Sequence, residues 1–136
     1  MDHSPPPSPP GTGQSLPAKF RCAIRGLALA VRLEKNYRVH VAVAAAVVVA
    51  GAALGATLVD WCILGLCMAL VLAIETLNTA LEHLAKAVAE RPNEHVGRAL
   101  DIAAGAVLLA AAAAAIVGGL VLTNRLAIRL GWWAIE

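Results

Sequence analysis

Three long apolar stretches constrain this chain more than any other feature of its 136 residues. Residues 41–59 and 102–122 carry no charge at all. Residues 61–81 form a further apolar stretch, interrupted by Glu75 and Asn78. Each stretch is long enough to cross about 30 Å of hydrocarbon at about 1.5 Å per helical residue. The pattern therefore predicts an all-α membrane protein with three transmembrane helices.

Composition excludes several other classes of protein. Hydrophobic residues make up 60% of the chain and charged residues 15%, against about 45–50% and about 25% in typical soluble domains. These values argue against a disordered chain and a freely soluble enzyme of ordinary composition. The net charge of +2 is too small to indicate a nucleic-acid binder. An alanine-rich soluble bundle is disfavoured because the hydrophobicity is concentrated in stretches of spanning length.

The N-terminal part divides into a tail and an amphipathic segment. Residues 1–17 are rich in proline and are predicted to be disordered. Residues 18–36 place four apolar side chains on one helical face: Phe20, Ile24, Leu27 and Val31. Arginines on the other side favour a helix on the membrane surface, although a helix packed on a soluble core is the alternative. Glu34 falls within the apolar stripe, where an acid is costly unless a cation meets it.

The basic residues predict the orientation of the three spans. Nine of the 11 Lys and Arg residues lie before the first span or in the polar connection over residues 82–101. The other two lie in residues 123–136, a predicted interfacial tail that contains the pair Trp132-Trp133. The positive-inside rule therefore places the N-terminus in the cytoplasm.

A polar stripe lies on the second span. Glu75, Asn78 and Glu82 are spaced i, i+3 and i+7, which puts them on one side of a helix, and Lys86 continues that side. A carboxylate inside a membrane costs roughly 2.5–3.5 kcal/mol on insertion scales and usually marks a functional site. The alternative is that these residues are polar contacts between packed helices.

Two further acids, Glu34 and Asp101, lie near the same membrane boundary. Mg²⁺ prefers oxygen ligands, commonly one or two carboxylates together with phosphate oxygens and water. A carboxylate in the apolar layer can also serve as a general base. The combination suggests phosphoryl transfer to a lipid hydroxyl, and the residues alone leave a small proton- or cation-coupled carrier as a rival.

Three blocks of this sequence resemble one family. Residues 74–82 (IETLNTALE) resemble the E-x-x-N-[ST]-A-[IL]-E signature of the bacterial membrane diacylglycerol kinase and undecaprenol kinase family. Residues 97–109 resemble its second signature, which surrounds a K-D pair before the third transmembrane helix. Residues 34–40 (EKNYRVH) resemble the E-x-N-[FY]-R-[IV]-H segment of the undecaprenol kinase branch. The resemblance covers about residues 18–122, the predicted lipid-kinase domain.

The resemblance implies a homotrimer in the bacterial inner membrane, with a surface helix and three transmembrane helices in each chain. Members transfer the γ-phosphate of ATP to a lipid alcohol, here diacylglycerol or undecaprenol, with Mg²⁺. By this resemblance Glu75 is the general base, and Asn78 orients the base and the substrate. Glu34 and Glu82 are the metal ligands that hold Mg·ATP.

The nucleotide end of the site departs from the family pattern. The resemblance implies that Asp101 belongs there, and Arg98 either contacts the phosphates or is a positive-inside anchor. The K-D pair reads Leu100-Asp101 in this chain, so the expected lysine is missing, and Lys86 or Arg98 would have to replace it. A cation near the transferred phosphate normally stabilises the transition state. A degenerate, non-catalytic family member is therefore the alternative to an active kinase.

Overall fold

Four helices make up the described chain, which in this computed structural model comprises residues 15–88 and 93–132. The last three are long and apolar enough to cross a membrane. This confirms the predicted all-α architecture with three helices of spanning length. The four helices are α1 (Leu16–Leu33), α2 (Lys35–Leu54), α3 (Leu58–Val88) and α4 (Glu94–Arg129).

The helices extend beyond the segments that hydropathy delimits. Helix α1 begins within the predicted tail, with Pro17 in its first turn, where a missing N–H costs nothing. Residues 1–14 of that tail lie outside the described residues. The polar connection predicted over residues 82–101 is largely helical, because α3 runs to Val88 and α4 begins at Glu94. Apolar runs mark the membrane layer, whereas capping and backbone geometry set the helix ends.

The C-terminal tail predicted over residues 123–136 is likewise helical as far as Arg129, where α4 ends, and its residues 133–136, which include Trp133, lie outside the described residues. At its other end, α4 is capped by Asn93, whose Oδ1 accepts hydrogen bonds from the backbone N–H groups of His95 and Val96. This cap satisfies two of the donors that a helix N-terminus leaves without partners.

A single residue separates α1 from α2. Glu34 has an extended backbone (φ −108°, ψ 126°) and is both the C-cap of α1 and the N-cap of α2. Its backbone N–H donates to the carbonyl of Ala30 at 3.1 Å. The Glu34 side chain makes no capping hydrogen bond to α2. The predicted helix over residues 18–36 therefore ends earlier, at Leu33, and the Glu34 carboxylate is not used in capping.

A short turn joins α2 to α3. Gly55 adopts a left-handed conformation (φ 72°) that favours glycine. Thr57 and Asp60 then form a reciprocal cap at the start of α3. The Thr57 N–H donates to Asp60 Oδ2 at 2.7 Å, and the Asp60 N–H donates to Thr57 Oγ1 at 3.5 Å. The cap fixes the direction in which α3 leaves the turn.

The C-terminal end of α4 fastens this turn. Arg125 Nε lies 2.5 Å from Asp60 Oδ2, and Arg125 Nη2 donates to Thr57 Oγ1 at 3.0 Å. Arg129 donates to the backbone carbonyl of Ala53 near the end of α2. These contacts join α4 to the hairpin of α2 and α3 at the end of α3 opposite the polar stripe.

Small residues allow the helices to approach one another closely. A Cβ atom at Gly118 of α4 would lie 3.6 Å from Leu64 Cδ2, and Leu64 is only 1% exposed. A Cβ at Gly51 of α2 would lie 3.0 Å from Trp61 Cη2. Glycine at position 51 therefore makes room for the indole ring.

Most large apolar side chains face outward from the single chain, as at Leu66 (72% exposed), Leu108 (72%) and Leu120 (67%). Soluble proteins rarely expose apolar surface continuously on this scale. A membrane protein instead presents such surface to lipid tails or to other subunits, which agrees with three membrane-spanning helices.

Candidate active site

The polar stripe on α3 lies largely inside the protein. Glu75 is 3% exposed, Asn78 is 9% exposed and Thr79 is 6% exposed, while Glu82 is half-buried. The helical spacing predicted this common side, and the continuous helix α3 provides it. The ion pairs found among the described residues do not include Glu75. Among the described residues, therefore, no Lys, Arg or His nitrogen lies within 4 Å of this buried carboxyl group.

Asn78 links the stripe internally. Its Nδ2 donates to Glu82 Oε1 at 3.0 Å, and only the amide nitrogen can donate to a carboxylate, so this contact sets the orientation of the amide. Asn78 Oδ1 is consequently turned away from Glu82, and it has no hydrogen-bond partner among the described residues. A buried acceptor without a partner costs about 1–3 kcal/mol, which a donor from a bound substrate would recover.

His83 brings Glu34 to the stripe. His83 Nε2 lies 3.7 Å from Glu34 Oε1, so the break between α1 and α2 lies beside the segment of α3 that carries Glu82. The sequence indicated that Glu34 needs a cationic neighbour but assigned no role to His83. The only signal for His83 in the sequence is its position directly after Glu82. Its contact with Glu34 depends on how α1 lies against α3, which the sequence does not show.

The remaining predicted residues lie at the periphery. Lys86 is exposed near the end of α3, and Asp101 is exposed on α4. Arg98 is also exposed, and its Nη2 lies 2.5 Å from Glu94 Oε1, one turn earlier on the same helix. Leu100, in the place of the family lysine, is half-buried. Glu34 contacts His83 of α3, and Asn78 contacts Glu82. Among the described residues, no hydrogen bond or ion pair joins Lys86, Arg98 or Asp101 to the other side chains of the stripe.

A groove of about 260 Å³ lies between α1 and α3. Most of its lining is apolar. Helix α3 also contributes three polar side chains to the lining, which are Thr76, Thr79 and His83. Thr76 donates its hydroxyl to the Leu72 carbonyl at 2.7 Å, so it does not place an unsatisfied donor in the groove. The lining residues are Gly26, Leu29, Ala30, Leu33, Thr76, Thr79, Ala80 and His83.

The carboxylates fit a metal that arrives with phosphate ligands. Within residues 15–88 and 93–132, no three His, Cys, Asp or Glu side chains come close enough together to hold a metal ion. Mg²⁺ commonly takes one or two carboxylates and completes its coordination with phosphate oxygens and water. Glu34 and Glu82 provide oxygen donors of this kind. Two such donors would leave the remaining coordination positions of a metal to other ligands.

Comparison with known proteins identifies the chain. Residues 21–122 match the family described as prokaryotic diacylglycerol kinase. The chain belongs to this family. The match contains every predicted site residue, from Glu34 to Asp101, and it ends before Arg125 and Arg129. The family predicted from the sequence motifs is therefore confirmed.

Two relatives of this family member are named as lipid kinases. A diacylglycerol kinase of Synechocystis sp. is 40% identical over 109 residues, which are 79% of this chain and 62% of the relative. An undecaprenol kinase of Bacillus subtilis is 33% identical over 107 residues, which are 79% of this chain and 87% of the relative. The chain thus spans less than two thirds of the Synechocystis protein. No solved structure matches the chain. Both names agree with the prediction of a lipid kinase.

Proposed function

We propose that this family member transfers the γ-phosphate of ATP to the hydroxyl group of a membrane lipid. The observation that carries the proposal is the buried carboxyl group of Glu75, which is 3% exposed on a membrane-spanning helix. An acid in this place is costly to insert and is normally retained for chemistry. The names of the two relatives support a lipid alcohol as the acceptor.

Glu75 is the general base in this proposal. The lipid hydroxyl gives its proton to the Glu75 carboxylate, and the alcohol oxygen forms a bond to the γ-phosphorus. The bond from that phosphorus to the bridging oxygen of ADP breaks, and ADP leaves with the electron pair. Asn78 Oδ1, which is buried and lacks a partner among the described residues, accepts a hydrogen bond from the reacting hydroxyl or from protonated Glu75.

Glu34 and Glu82 would hold Mg²⁺ together with ATP. When bound, the cation would offset charge on the phosphate oxygens and orient them. Asn78 donates a hydrogen bond to one carboxylate oxygen of Glu82. This bond orients the carboxylate and leaves its other oxygen free to bind the metal ion. Lys86, Arg98 and Asp101 form the nucleotide end of the site. The exposed contact of Arg98 with Glu94 is worth only about 0.2–1 kcal/mol, so a phosphate can compete for the guanidinium.

The groove between α1 and α3 is the proposed route for the lipid. Its apolar lining suits an acyl or isoprenoid chain, and Thr79 lies one helical turn beyond Glu75 on the same side of α3. Diacylglycerol and undecaprenol both present a primary hydroxyl group on an apolar body. The relatives are named for these two acceptors, and both acceptors belong in the assay.

A homotrimer with the N-terminus in the cytoplasm completes the proposal. Arg98 pairs with Glu94 and not with the stripe, which is compatible with sites built from residues of neighbouring subunits. Apolar side chains exposed on α3 and α4 provide surface for such contacts. The bias of Lys and Arg toward the ends near Glu34 and Glu82 supports a bacterial inner membrane with the site facing cytoplasmic ATP.

The decisive experiment is phosphate transfer from labelled ATP by purified protein, with diacylglycerol and undecaprenol offered side by side. Glu75→Gln keeps the shape of the side chain and removes the base, so transfer should fall at least about 100-fold. Asp60→Asn provides the control, with transfer expressed per folded molecule, since it neutralises an acid at the opposite end of α3. A Glu75→Gln protein with activity within 3-fold of wild type would refute the role of Glu75.

Leu100 favours one second candidate, a family member that binds Mg·ATP without transferring phosphate. The residue removes the lysine that the family motif places before Asp101. Saturable ATP binding by a folded wild-type protein, with no labelled product from either lipid, would establish this candidate instead of the kinase.

A further inference from the structure

The Glu34 carboxylate lacks local support from its own helices. Its side chain does not cap α2, and its backbone forms the only residue between α1 and α2. The neighbouring part of α1 faces α3 across the groove of about 260 Å³. Ala30 and Tyr37, which flank Glu34 in the chain, are buried, so packing holds the backbone of this break while the Glu34 carboxylate extends beyond it.

A polar contact spans this gap. His83 Nε2 lies 3.7 Å from Glu34 Oε1, which is longer than a direct hydrogen bond of about 2.7–3.2 Å. At this separation a small movement of either side chain would close a hydrogen bond, so the imidazole can restrain the carboxylate beside α3. The His83 side chain is 48% exposed, so the imidazole contributes little buried apolar surface to folding.

The same segment of α3 thus provides one polar neighbour for each carboxylate. Asn78 donates to Glu82 at 3.0 Å, and His83 lies beside Glu34. Residues that contact ligating carboxylates set the orientation of the ligand, and their loss typically weakens metal affinity about 10- to 100-fold. His83 is placed for this role toward Glu34, which lies outside α3 between α1 and α2.

We infer that His83 is a positioning residue, which holds the Glu34 carboxylate at the distance from α3 that binding of Mg·ATP requires. The inference rests on the proposed role of Glu34 as a metal ligand. In this inference α3 carries both residues that orient the metal ligands: Asn78, which contacts Glu82, and His83, which contacts Glu34.

Binding of Mn²⁺ in the presence of a non-hydrolysable ATP analogue, measured by electron paramagnetic resonance on purified full-length protein in detergent, tests the inference without turnover. His83→Leu should weaken Mn²⁺ binding about 10-fold or more. His83→Gln, which keeps a side-chain N–H donor, should bind within 3-fold of wild type. His95→Leu, at an exposed histidine on α4, is the matched control and should bind as wild type does.

A Glu34→Gln background shows whether His83 acts through Glu34. In that background His83→Leu should cause no further weakening, because the carboxylate that it positions is already lost. An equal 10-fold loss in both backgrounds would overturn the inference, and so would unchanged binding by His83→Leu alone. Helical content measured by circular dichroism shows whether each variant is folded. If His83→Leu does not fold, the comparison of His83→Gln with the wild type takes its place.

Steady-state kinetics provide a second readout. A residue that positions the metal site should raise the KM for Mg·ATP about 10-fold and change kcat less than 3-fold. A fall in kcat at unchanged KM would contradict positioning. Failure of the proposed function appears differently, as absence of transfer by the wild-type protein, and the Mn²⁺ measurements still decide the role of His83.

Discussion

The contact between Asp60 and Arg125 offers a test of how the helices are held together at the end opposite the candidate site. Asp60→Asn removes the charge and keeps a side-chain oxygen that can accept from the Thr57 N–H. Arg125→Met removes the guanidinium and keeps an unbranched apolar stem. The two changes and their combination form a double-mutant cycle that measures the coupling between α3 and α4.

The burial of the two groups sets the expected magnitude. The Asp60 side chain is 12% exposed and the Arg125 side chain 21% exposed. Pairs in full contact with water contribute about 0.2–1 kcal/mol, whereas removing one partner of a fully buried pair costs about 3–5 kcal/mol. The pair lies between these two limits, so each single substitution should move the midpoint of detergent unfolding clearly to a lower detergent concentration. The double variant should lose clearly less stability than the sum of the two single losses.

Tryptophan fluorescence during titration with a denaturing detergent reports this unfolding. Trp61 adjoins Asp60 and packs on Gly51, so its emission should change when the turn opens. Protein concentration is held constant, because association of subunits would contribute to the same transition. Phosphate transfer per folded molecule should not change in Asp60→Asn, since Asp60 and Glu75 are about 22 Å apart along α3.

Additive effects would refute the reasoning. If the double variant is destabilised by the sum of the two single effects, within about 0.5 kcal/mol, Asp60 and Arg125 do not stabilise each other. A loss of transfer in Asp60→Asn that exceeds the loss of folded protein would show instead that the two ends of α3 are coupled.

Two further predictions concern Gly51 and Leu100. Gly51→Ala places a Cβ atom 3.0 Å from Trp61 Cη2 and should lower the free energy of unfolding by about 1 kcal/mol. Gly65→Ala meets no atom within 4 Å and should raise it by up to about 1 kcal/mol; detergent titration compares the two, and equal shifts would contradict the packing argument. Leu100→Lys should raise the rate of phosphate transfer about 10-fold by adding a cation near the phosphates. Leu100→Met is its control, and an unchanged rate with lysine would show that position 100 does not reach the phosphates.

Features that depend on neighbouring positions were predictable from the sequence. The uncharged stretches of spanning length correspond to helices α2 and α4, because about 20 apolar residues satisfy both the membrane and the helical backbone. Asn78 and Glu82 are four residues apart, so their contact follows from helical geometry once the segment is known to be helical. The motif around Glu75 also identified the family.

Features that depend on helix packing were not predictable. The contact of His83 with Glu34 requires the break at Glu34 and the placement of α1 beside α3. The contact of Arg125 with Asp60 joins residues on two helices that are far apart in sequence, and the rotation of α4 about its axis decides it. The extent of α3 to Val88 was predicted only in part: the polar stripe placed Glu82 and Lys86 on the helix, although the apolar stretch ends at residue 81. Polar residues such as Glu and Lys continue a helix beyond the membrane.

The turn of three residues between α2 and α3 has a consequence for how the chain enters the membrane. Helix α3 carries the buried acid Glu75, yet its apolar part is at least as hydrophobic as that of α2. Because only Gly55, Ala56 and Thr57 separate the two helices, α2 and α3 would enter the bilayer together as one hairpin. The favourable transfer of both helices would then offset the cost of inserting Glu75, and lengthening the turn would make insertion of α3 depend on its own sequence.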